Sequence, residues 1–471
     1  MSNVKAASRV AMLTAALLLS ACTSPVGPQD SGIAAPSLWN RLTGDTYTPD
    51  LNLPLAVSAE AEVDQAWWRH FGDPTLDALI AEALTNSKTL QIAKSRVEEA
   101  QAGRKLAESA LYPQINAGGS AQRGNQGYAS NNQTVTVAQV DLEASWELDL
   151  FGRNQARTAQ ATAILQSTEA SQQAIRVALL AEVARTYFDL RNYERQIAIA
   201  QQNLDTQKKT LELIHAQVTG ALASDFDVQR AAAQVSRTEA LIPALETAYD
   251  AALNRLNVLL GHAPGTKDTL LKAPQDLRPL DAHIVIAAPA KVLATRPDIR
   301  VAERNFAAAI SAKDVATASL YPDISLTALF GGQTATPFSS TPWGLGVNLV
   351  QPILNFGRIE SQIDAADAEQ HQAFLAYQQT VLEALENMEN ALSGYIHETT
   401  RNASLAAGVE QNRRATSLAN LQYRNGYTGL LDVLVAQRDL LDAEASQAAS
   451  DAGLRNDLVT IYAAAGGGWR E

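Results

Sequence analysis

The side chains of this chain that could do covalent or acid–base chemistry are few and widely spread. Cys22 is the one cysteine among 471 residues, so an internal disulfide is excluded and its chemistry is that of a single nucleophile. The six histidines, His70, His215, His262, His283, His371 and His397, have no metal-ligand spacing. Gly344-Leu345-Gly346 lies in an alternating apolar segment and lacks the lysine of a phosphate loop, and no serine, histidine and aspartate stand in the context of a hydrolytic triad. The carboxylates are organised differently. Asp141, Glu143, Glu147 and Asp149 fall on odd positions of a segment whose even positions are Val140, Leu142, Ala144, Trp146, Leu148 and Leu150. Carboxylates placed this way make an acidic wall rather than an acid–base pair, and such a wall attracts cations. The expectation is a protein that is not an enzyme.

The thiol has its own context. Lys5 and Arg9 give a positive n-region, Val10 to Leu19 a short apolar stretch, and Ser20-Ala21 a small-residue cleavage site, so residues 1–21 read as a secretory signal too short to span a membrane. Leu19-Ser20-Ala21-Cys22 resembles the bacterial lipobox, in which the cysteine is acylated and becomes the mature N-terminus. The expected attached group is therefore covalent lipid on Cys22, with no cofactor and no metal. Several acyl chains would hold the protein firmly where a single one holds only marginally. Thr23 rather than aspartate follows the cysteine, which resembles lipoproteins delivered to the outer membrane.

A formal charge of −13 argues against nucleic acid as a partner. Aromatics are only 6% of the residues, a composition that suits closely packed helices better than one bulky core. After the signal no apolar run is long enough for a spanning helix, so a membrane crossing would have to be a closed barrel.

The elements that must position these residues occur twice. Leu111-Tyr112-Pro113 recurs as Leu320-Tyr321-Pro322 at an offset of 209 residues; Phe151-Gly152-Arg153 recurs as Phe356-Gly357-Arg358 at 205. Asp227-Val228-Gln229 matches Asp432-Val433-Leu434 at 205. A period this long is a duplicated domain, with each half reading helix, two strands, very long helix, sharp turn, helix. The long helices are expected over 153–219 and 358–425, where no proline occurs. Val183, Leu190, Ile197, Leu204, Leu211 and Val218 repeat every seven residues, a coiled-coil seam. Val381, Met388, Tyr395, Val409 and Tyr423 fall on the same grid, interrupted by Asn402 and Thr416. About 67 helical residues reach roughly 100 Å. Return helices are expected over 225–261 and 430–465, and preceding helices over about 74–110 and 289–319.

Strands are expected over 114–127, 134–150, 323–333 and 343–355, because apolar residues alternate with polar ones there. Ile324, Leu326, Ala328 and Phe330 alternate, as do Trp343, Leu345, Val347 and Leu349. Segments of about ten residues match tilted membrane-spanning strands. Four strands cannot close a barrel, so the chain must associate with copies of itself.

Several motifs in chain order resemble the outer membrane factor family, the TolC- and OprM-like, NodT-type efflux lipoproteins. They are Trp67-Trp68-x-x-Phe71-x-Asp73-Pro74, Trp146 through Arg153, Leu259-Leu260-Gly261-x-x-Pro264-Gly265, Arg296-Pro297-Asp298-Ile299, Gln351-Pro352-Ile353 with Phe356-Gly357-Arg358, and the terminal Gly466-Gly467-Gly468-Trp469. The resemblance implies a membrane α+β protein: a homotrimer with a 12-stranded β-barrel, four strands per chain, continued by a coiled-coil α-helical periplasmic barrel. An equatorial belt would draw on about residues 40–75, 262–290 and the C-terminal end. The chain then divides into a signal (1–21), a lipidated and equatorial segment (22–73), a first repeat (74–265), an equatorial linker (266–288), a second repeat (289–465) and a tail (466–471).

The same resemblance places a periplasmic tip at the two helical turns. It assigns adaptor contact to Val218, Thr219, Gly220, Ala221, Ser224, Asp227, Gly426, Tyr427, Thr428 and Gly429, and a gate to Tyr423, Leu431, Asp432 and Val435. Local chemistry offers a plainer account, with glycines stopping helices and Ser224, Asp225 and Asp227 capping the next one. Asp432 suits either the helix dipole or a pore lining. The family often has a second acid three residues on, where this chain has Val435. In the first turn glycine comes one residue early, leaving Ala221 at its expected place.

The function implied is an outer-membrane, lipid-anchored duct reaching into the periplasm, the passive exit of a tripartite multidrug efflux system. Its partners would be outer-membrane lipid, a periplasmic adaptor and an inner-membrane pump of the resistance-nodulation-division or major facilitator type. Asp141, Glu143, Glu147 and Asp149 would line its lumen. The alternatives are a duct for type I protein secretion, a heavy-metal efflux duct, and a structural lipoprotein tether.

Overall fold

The computed structural model describes residues 27–40, 55–58, 61–125, 134–220, 223–267, 271–272, 284–335 and 338–469. Cys22, Ala221 and the signal at residues 1–21 lie outside them, as does His283. Strand β1 (Leu55–Ser58) and the helices α1 (Pro74–Asn86) and α2 (Lys88–Ser109) precede the hairpin β2 (Gln114–Asn125) and β3 (Thr134–Glu147). The long helix α3 (Arg153–Thr219) and its return α4 (Asp225–Leu259) complete the first half. The second half runs β4 (Ile284–Ala287), α5 (Pro289–Thr295), α6 (Pro297–Ala318), β5 (Asp323–Ala335), β6 (Phe338–Ser340), β7 (Trp343–Val350), α7 (Arg358–Arg424) and α8 (Leu430–Ala464).

Both long helices have 67 residues and both return helices 35, and each pair is related by the 205-residue offset. α2 and α6 share the offset of 209 seen in the tyrosine motifs. The expected helices 74–110 and 289–319 are each broken once. Arg296 adopts an extended ψ of 125° because the ring of Pro297 crowds a helical residue before it; Ser87, followed by Lys88, has the same ψ of 125°. The fourth strand stops at Val350 rather than continuing to 355, since Pro352 has no N–H for the ladder.

The chain forms two compact units. One contains residues 95–170 and 298–380 with the N-terminal segment up to Ile33. Its centre is an antiparallel sheet ordered β2-β3-β5, with β7 and the short β6 both paired to β5. The expected alternation holds. Leu142 lies opposite Phe330 and Trp146 opposite Leu326, so apolar residues share one face across the ladder. Residues 27–31 are held on this unit by backbone contacts. Gln29 N–H donates to Glu303 Oε1 at 2.8 Å, and its carbonyl accepts from the Tyr377 hydroxyl at 3.2 Å.

The other unit comprises residues 34–94, 171–297 and 381–471. Its main core gathers Trp67, Trp68, Phe71, Leu180, Tyr187, Phe188, Leu256 and Tyr462. Trp67 stacks on Tyr462 with centroids 5.5 Å apart. One carboxylate oxygen of Asp73 caps α1 by accepting from Thr75 N–H at 2.9 Å, while the other accepts the Tyr187 hydroxyl at 2.6 Å. Burial, and then that carboxylate, push the Tyr187 phenol well above its ordinary range. The glycine-rich end has a packing reason. A Cβ on Gly467 would sit 2.5 Å from the Asp64 carbonyl. The neighbouring Gly468 carbonyl accepts from Arg176 Nε at 3.0 Å.

The heptad seam is inward throughout: Val183, Leu190 and Leu204 are buried, and Ile197, Leu211 and Val218 are half-buried. The polar interruptions on α7 join helices. Thr416 Oγ1 donates to the Ala436 carbonyl on α8 at 2.9 Å, and Asn402 Nδ2 to Asp451 Oδ1 at 2.8 Å. No helix among the described residues is long and apolar enough to cross a membrane.

Candidate functional site

The two helical turns come together around an apolar cluster. Ile214, Val228, Ala231, Leu430 and Leu434 are buried against one another, with Leu211, Val218, Ala223 and Tyr423 packed alongside. Tyr423 bridges the two helix pairs, its hydroxyl donating to Gln217 Oε1 on α3 at 2.7 Å. Burial raises its phenol pKa, and the nearby Asp227 carboxylate adds to that. Leu430 and Leu434, which form the packed face, were not singled out by the sequence; their signal was the apolar spacing Leu430, Val433, Leu434, Gln437, Leu441 on one side of α8. Leu431 and Val435 lie on the other side and are 47% and 36% exposed on the single chain.

Ordinary capping explains part of the first turn. Ser224 Oγ accepts from Asp227 N–H at 3.3 Å, and Asp227 Oδ2 accepts from Ser224 N–H at 3.2 Å, a reciprocal capping box. The Ser224 hydroxyl holds the Asp227 carboxyl below its usual range. In the second turn Gly426, with φ of 73°, ends α7. Tyr427 N–H donates back to the Gln422 carbonyl at 2.9 Å and Gly426 N–H to Tyr423 at 3.0 Å, the Schellman pattern that needs a left-handed residue. Gly429 is the N-cap of α8 and gives no side-chain cap. Asp432 is exposed and accepts the Thr428 hydroxyl instead. Thr219 is the last residue of α3, and Gly220 N–H continues its ladder to the Ala216 carbonyl at 3.2 Å.

Above this cluster the seam turns polar. Gln207 is 2% exposed, and neither its amide oxygen nor its amide nitrogen has a hydrogen-bond partner. Gln437 Nε2 donates to Thr210 Oγ1 at 3.0 Å, and Asn203 Nδ2 to Glu444 Oε2 at 3.3 Å. These buried amides and hydroxyls stand on α3 and α8 between the apolar cluster of the turns and the residues Leu190 and Leu458 of the main core.

On the sheet, Asp141, Glu143 and Glu147 share one face of β3, opposite Gly331, Leu329 and Ser325 of β5. The other face exposes Val140, Leu142 and Phe330, and along β7 Trp343, Leu345, Val347 and Leu349. Asp149 does not belong to the acidic row. β3 ends at Glu147, and the chain turns where Leu150 N–H donates to the Leu148 carbonyl at 2.8 Å. The Asp149 carboxylate then caps α3, accepting from Asn154 N–H at 3.0 Å and Gln155 N–H at 2.7 Å. Beside it Arg153 pairs with Asp323 at 2.5 Å. Among the described residues no group of three His, Cys, Asp or Glu side chains could hold a metal.

An antiparallel sheet apolar on one face and acidic on the other is thus continuous in sequence with duplicated helices of 67 residues. Residues 79–262 and 288–467 match the outer membrane efflux protein family. The chain belongs to that family. It is 31% identical to the pyoverdine export outer membrane protein OpmQ of Pseudomonas aeruginosa over 98% of this chain and 97% of that protein. It is also 31% identical to nodulation protein T of Rhizobium leguminosarum bv. viciae, over 90% of each. The solved outer-membrane channel OprN aligns with a TM-score of 0.85 at 31% identity, covering 95% of this chain and 100% of that one. The family and its structural neighbours are channel proteins rather than enzymes, and this efflux protein is an outer-membrane efflux channel extending into the periplasm.

Proposed function

We propose that three copies of this efflux protein close a 12-stranded barrel continued by a helical tunnel, the passive exit duct of a tripartite multidrug system. The observation that carries this reading is the open sheet: among the described residues β2 and β7 are both unpaired edges, while the face exposing Leu142, Phe330 and Leu345 is apolar. An edge in hydrocarbon leaves backbone groups unsatisfied at several kcal/mol each, so copies must pair edge to edge. Four strands per copy keep every pairing antiparallel around the ring, since β2 and β7 run in opposite directions.

In this assembly the row Asp141, Glu143 and Glu147 lines the lumen. Leu431, Asp432 and Val435, exposed on the single chain, converge near the axis at the closed end, with Tyr423 setting the position of α7. An adaptor meets the two turns, and an inner-membrane pump supplies the energy and selects small toxic compounds. Acyl chains on Cys22 add an anchor in the outer membrane. Purified protein in planar bilayers tests the reading: discrete cation-preferring conductance is expected, and an absence of conductance from a properly inserted preparation overturns it in favour of a tether. Deleting the gene and profiling sensitivity to dyes, detergents, antibiotics and metals assigns the cargo class.

A further inference from the structure

The duplication preserves particular bonds at the strand ends. Trp146 Nε1 donates to the Leu111 carbonyl at 3.0 Å, and at the equivalent place Gln351 Nε2 donates to the Leu320 carbonyl at 3.1 Å. Ala156 N–H reaches the Gly152 carbonyl at 2.8 Å, as Ser361 N–H reaches Gly357 at 2.9 Å. The hairpins share one register too: Ile115 opposite Ala144 becomes Ile324 opposite Leu349 under the same two offsets. β2 is thus the equivalent of β5, and β7 of β3. Yet β3 pairs with β5 inside the chain, while among the described residues β7 and β2 have no strand on their outer sides.

At the internal seam two side-chain contacts lock the strand ends. Phe151, just after β3, stacks on Tyr321, just before β5, with centroids 4.8 Å apart and planes 8° from parallel. Arg153 pairs with Asp323. The equivalents of the stacked rings are Phe356 and Tyr112, and both are left in solvent, 89% and 62% exposed. Phe356 is also the one described non-glycine residue with positive φ, 53°, a conformation costing on the order of 1 kcal/mol or more unless surroundings hold it.

We propose that Phe356 stacks on Tyr112 of a neighbouring copy, fixing β7 against that copy's β2 in the register of the internal seam. The offsets then place Val350 opposite Gly118, Asn348 opposite Ser120, Val347 opposite Ala121 and Trp343 opposite Asn125 of the neighbour. Each face stays consistent: Val347 meets Ala121 on the apolar side, and Asn348 meets Ser120 on the polar side. The two seams differ in charge, since Glu147 beside Arg153 has Pro352 as its equivalent. Asp323 is replaced by Gln114, so Arg358 finds an amide where Arg153 finds a carboxylate, and the seam between copies lacks the ion pair. This inference rests on the reading of the chain as a self-associating barrel.

Cysteine pairs in the full chain, read as cross-links in outer-membrane preparations, test the register. Directly opposed residues have Cβ atoms about 4.5–5.5 Å apart and diagonal ones about 7–8 Å, and only the former approach disulfide reach. Two adjacent pairs, S120C/N348C and A121C/V347C, include one close, non-hydrogen-bonded pair whichever way the ladder alternates. Q122C/N348C and N116C/V350C stand two residues out of register, and single-cysteine variants give the background from Cys22. Covalent oligomers at least about tenfold more abundant from one in-register pair are expected. Stronger cross-linking of an out-of-register pair overturns the register while leaving self-association intact. No cross-link from any pair in a protein that is oligomeric by mass overturns the seam, and a monomeric mass overturns the barrel reading itself. F356A and Y112A should each lower the dissociation temperature in detergent, the double variant adding little; additive losses would mean the rings do not meet.

Discussion

Asp457 sits where a carboxyl is poorly placed to be charged, and replacing it gives a pH-dependent test of how α7 and α8 pack. Its side chain faces Gly394 of α7, where a Cβ would lie 3.7 Å from Asp457 Oδ1, and the Glu398 carboxylate is one turn further on. Glu398 is already committed, accepting the Ser450 hydroxyl at 2.5 Å and pairing with Arg401 at 2.7 Å. Burial first, and then the Glu398 charge, push Asp457 from 3.8 up to about 6. A raised acid pKa means that the folded chain holds the proton more tightly than the unfolded one. The α7–α8 contact is therefore strongest below about pH 4, weakens as the pH rises to about 6, and stays weak above it. At about 1.4 kcal/mol per unit the cost at neutral pH is about 3 kcal/mol at most, less whatever water still screens. D457N removes the charge and keeps the shape. At pH 7.5 hydrogen exchange from residues 391–401 and 450–460 should slow by up to about 100-fold in the variant, and the difference should shrink below about pH 6 and vanish only by about pH 3. A variant that exchanges faster than the parent at pH 7.5 would refute the assignment of Asp457 as a destabilising charge.

Replacing Gln207 by leucine removes two buried groups without partners, so Q207L should raise the resistance of the turn region to urea by about 1–3 kcal/mol; a loss of stability in equilibrium unfolding would contradict the packing. Neutralising Asp141, Glu143 and Glu147 together should reduce cation preference in planar bilayers, whereas D149A should leave selectivity unchanged and weaken the start of α3 by about 1 kcal/mol. Selectivity that follows Asp149 rather than the other three would reverse that division. V435R places in the second turn the residue type that Arg230 supplies in the first, and single-channel recordings should show more frequent opening; unchanged records would remove Val435 from the gate.

Much of the helical frame was legible because it rests on periodicity. The seven-residue grid picks out the inward stripe from Val183 to Val218, and the two long helices and their returns end within two residues of the expected bounds. Local rules that act against a pattern were harder to read. The alternation of odd and even positions runs on through Asp149, but the ladder stops two residues earlier, so a carboxylate with the right parity became a helix cap. The helix pattern likewise runs through Arg296, where the following proline breaks it. At the turns, the family's two acid positions fall on Asp432 and Val435, while the cluster packed within the chain is formed by Leu430 and Leu434. Cluster membership there depends on which side of α8 faces α3 and α4, and a stripe rich in leucine on both sides does not declare it.

The duplication carries an argument about why the two turns do different work. Asp227 and Asp432 occupy equivalent positions, as do Ser224 and Gly429. With serine at the cap, Asp227 closes a reciprocal pair of bonds and its charge is spent on the backbone. With glycine at the cap that pairing is impossible, and Asp432 is left to Thr428 and to whatever lies outside the chain. The exposed positions diverge in the same sense. Phe226, itself 66% exposed, carries the Arg230 guanidinium over its ring at 5.2 Å, so the first turn sets a cation against its exposed ring. The equivalents Leu431 and Val435 are both aliphatic, with no guanidinium between them, and are partly exposed. Uncovered aliphatic surface beside a carboxylate without a backbone partner is stable in water only at a cost, and burying it against symmetry-related copies offsets that cost. In the assembly proposed above, the first turn closes its cap within the chain and the second is completed by neighbouring copies, a reading that puts the closing contacts of the duct on α8.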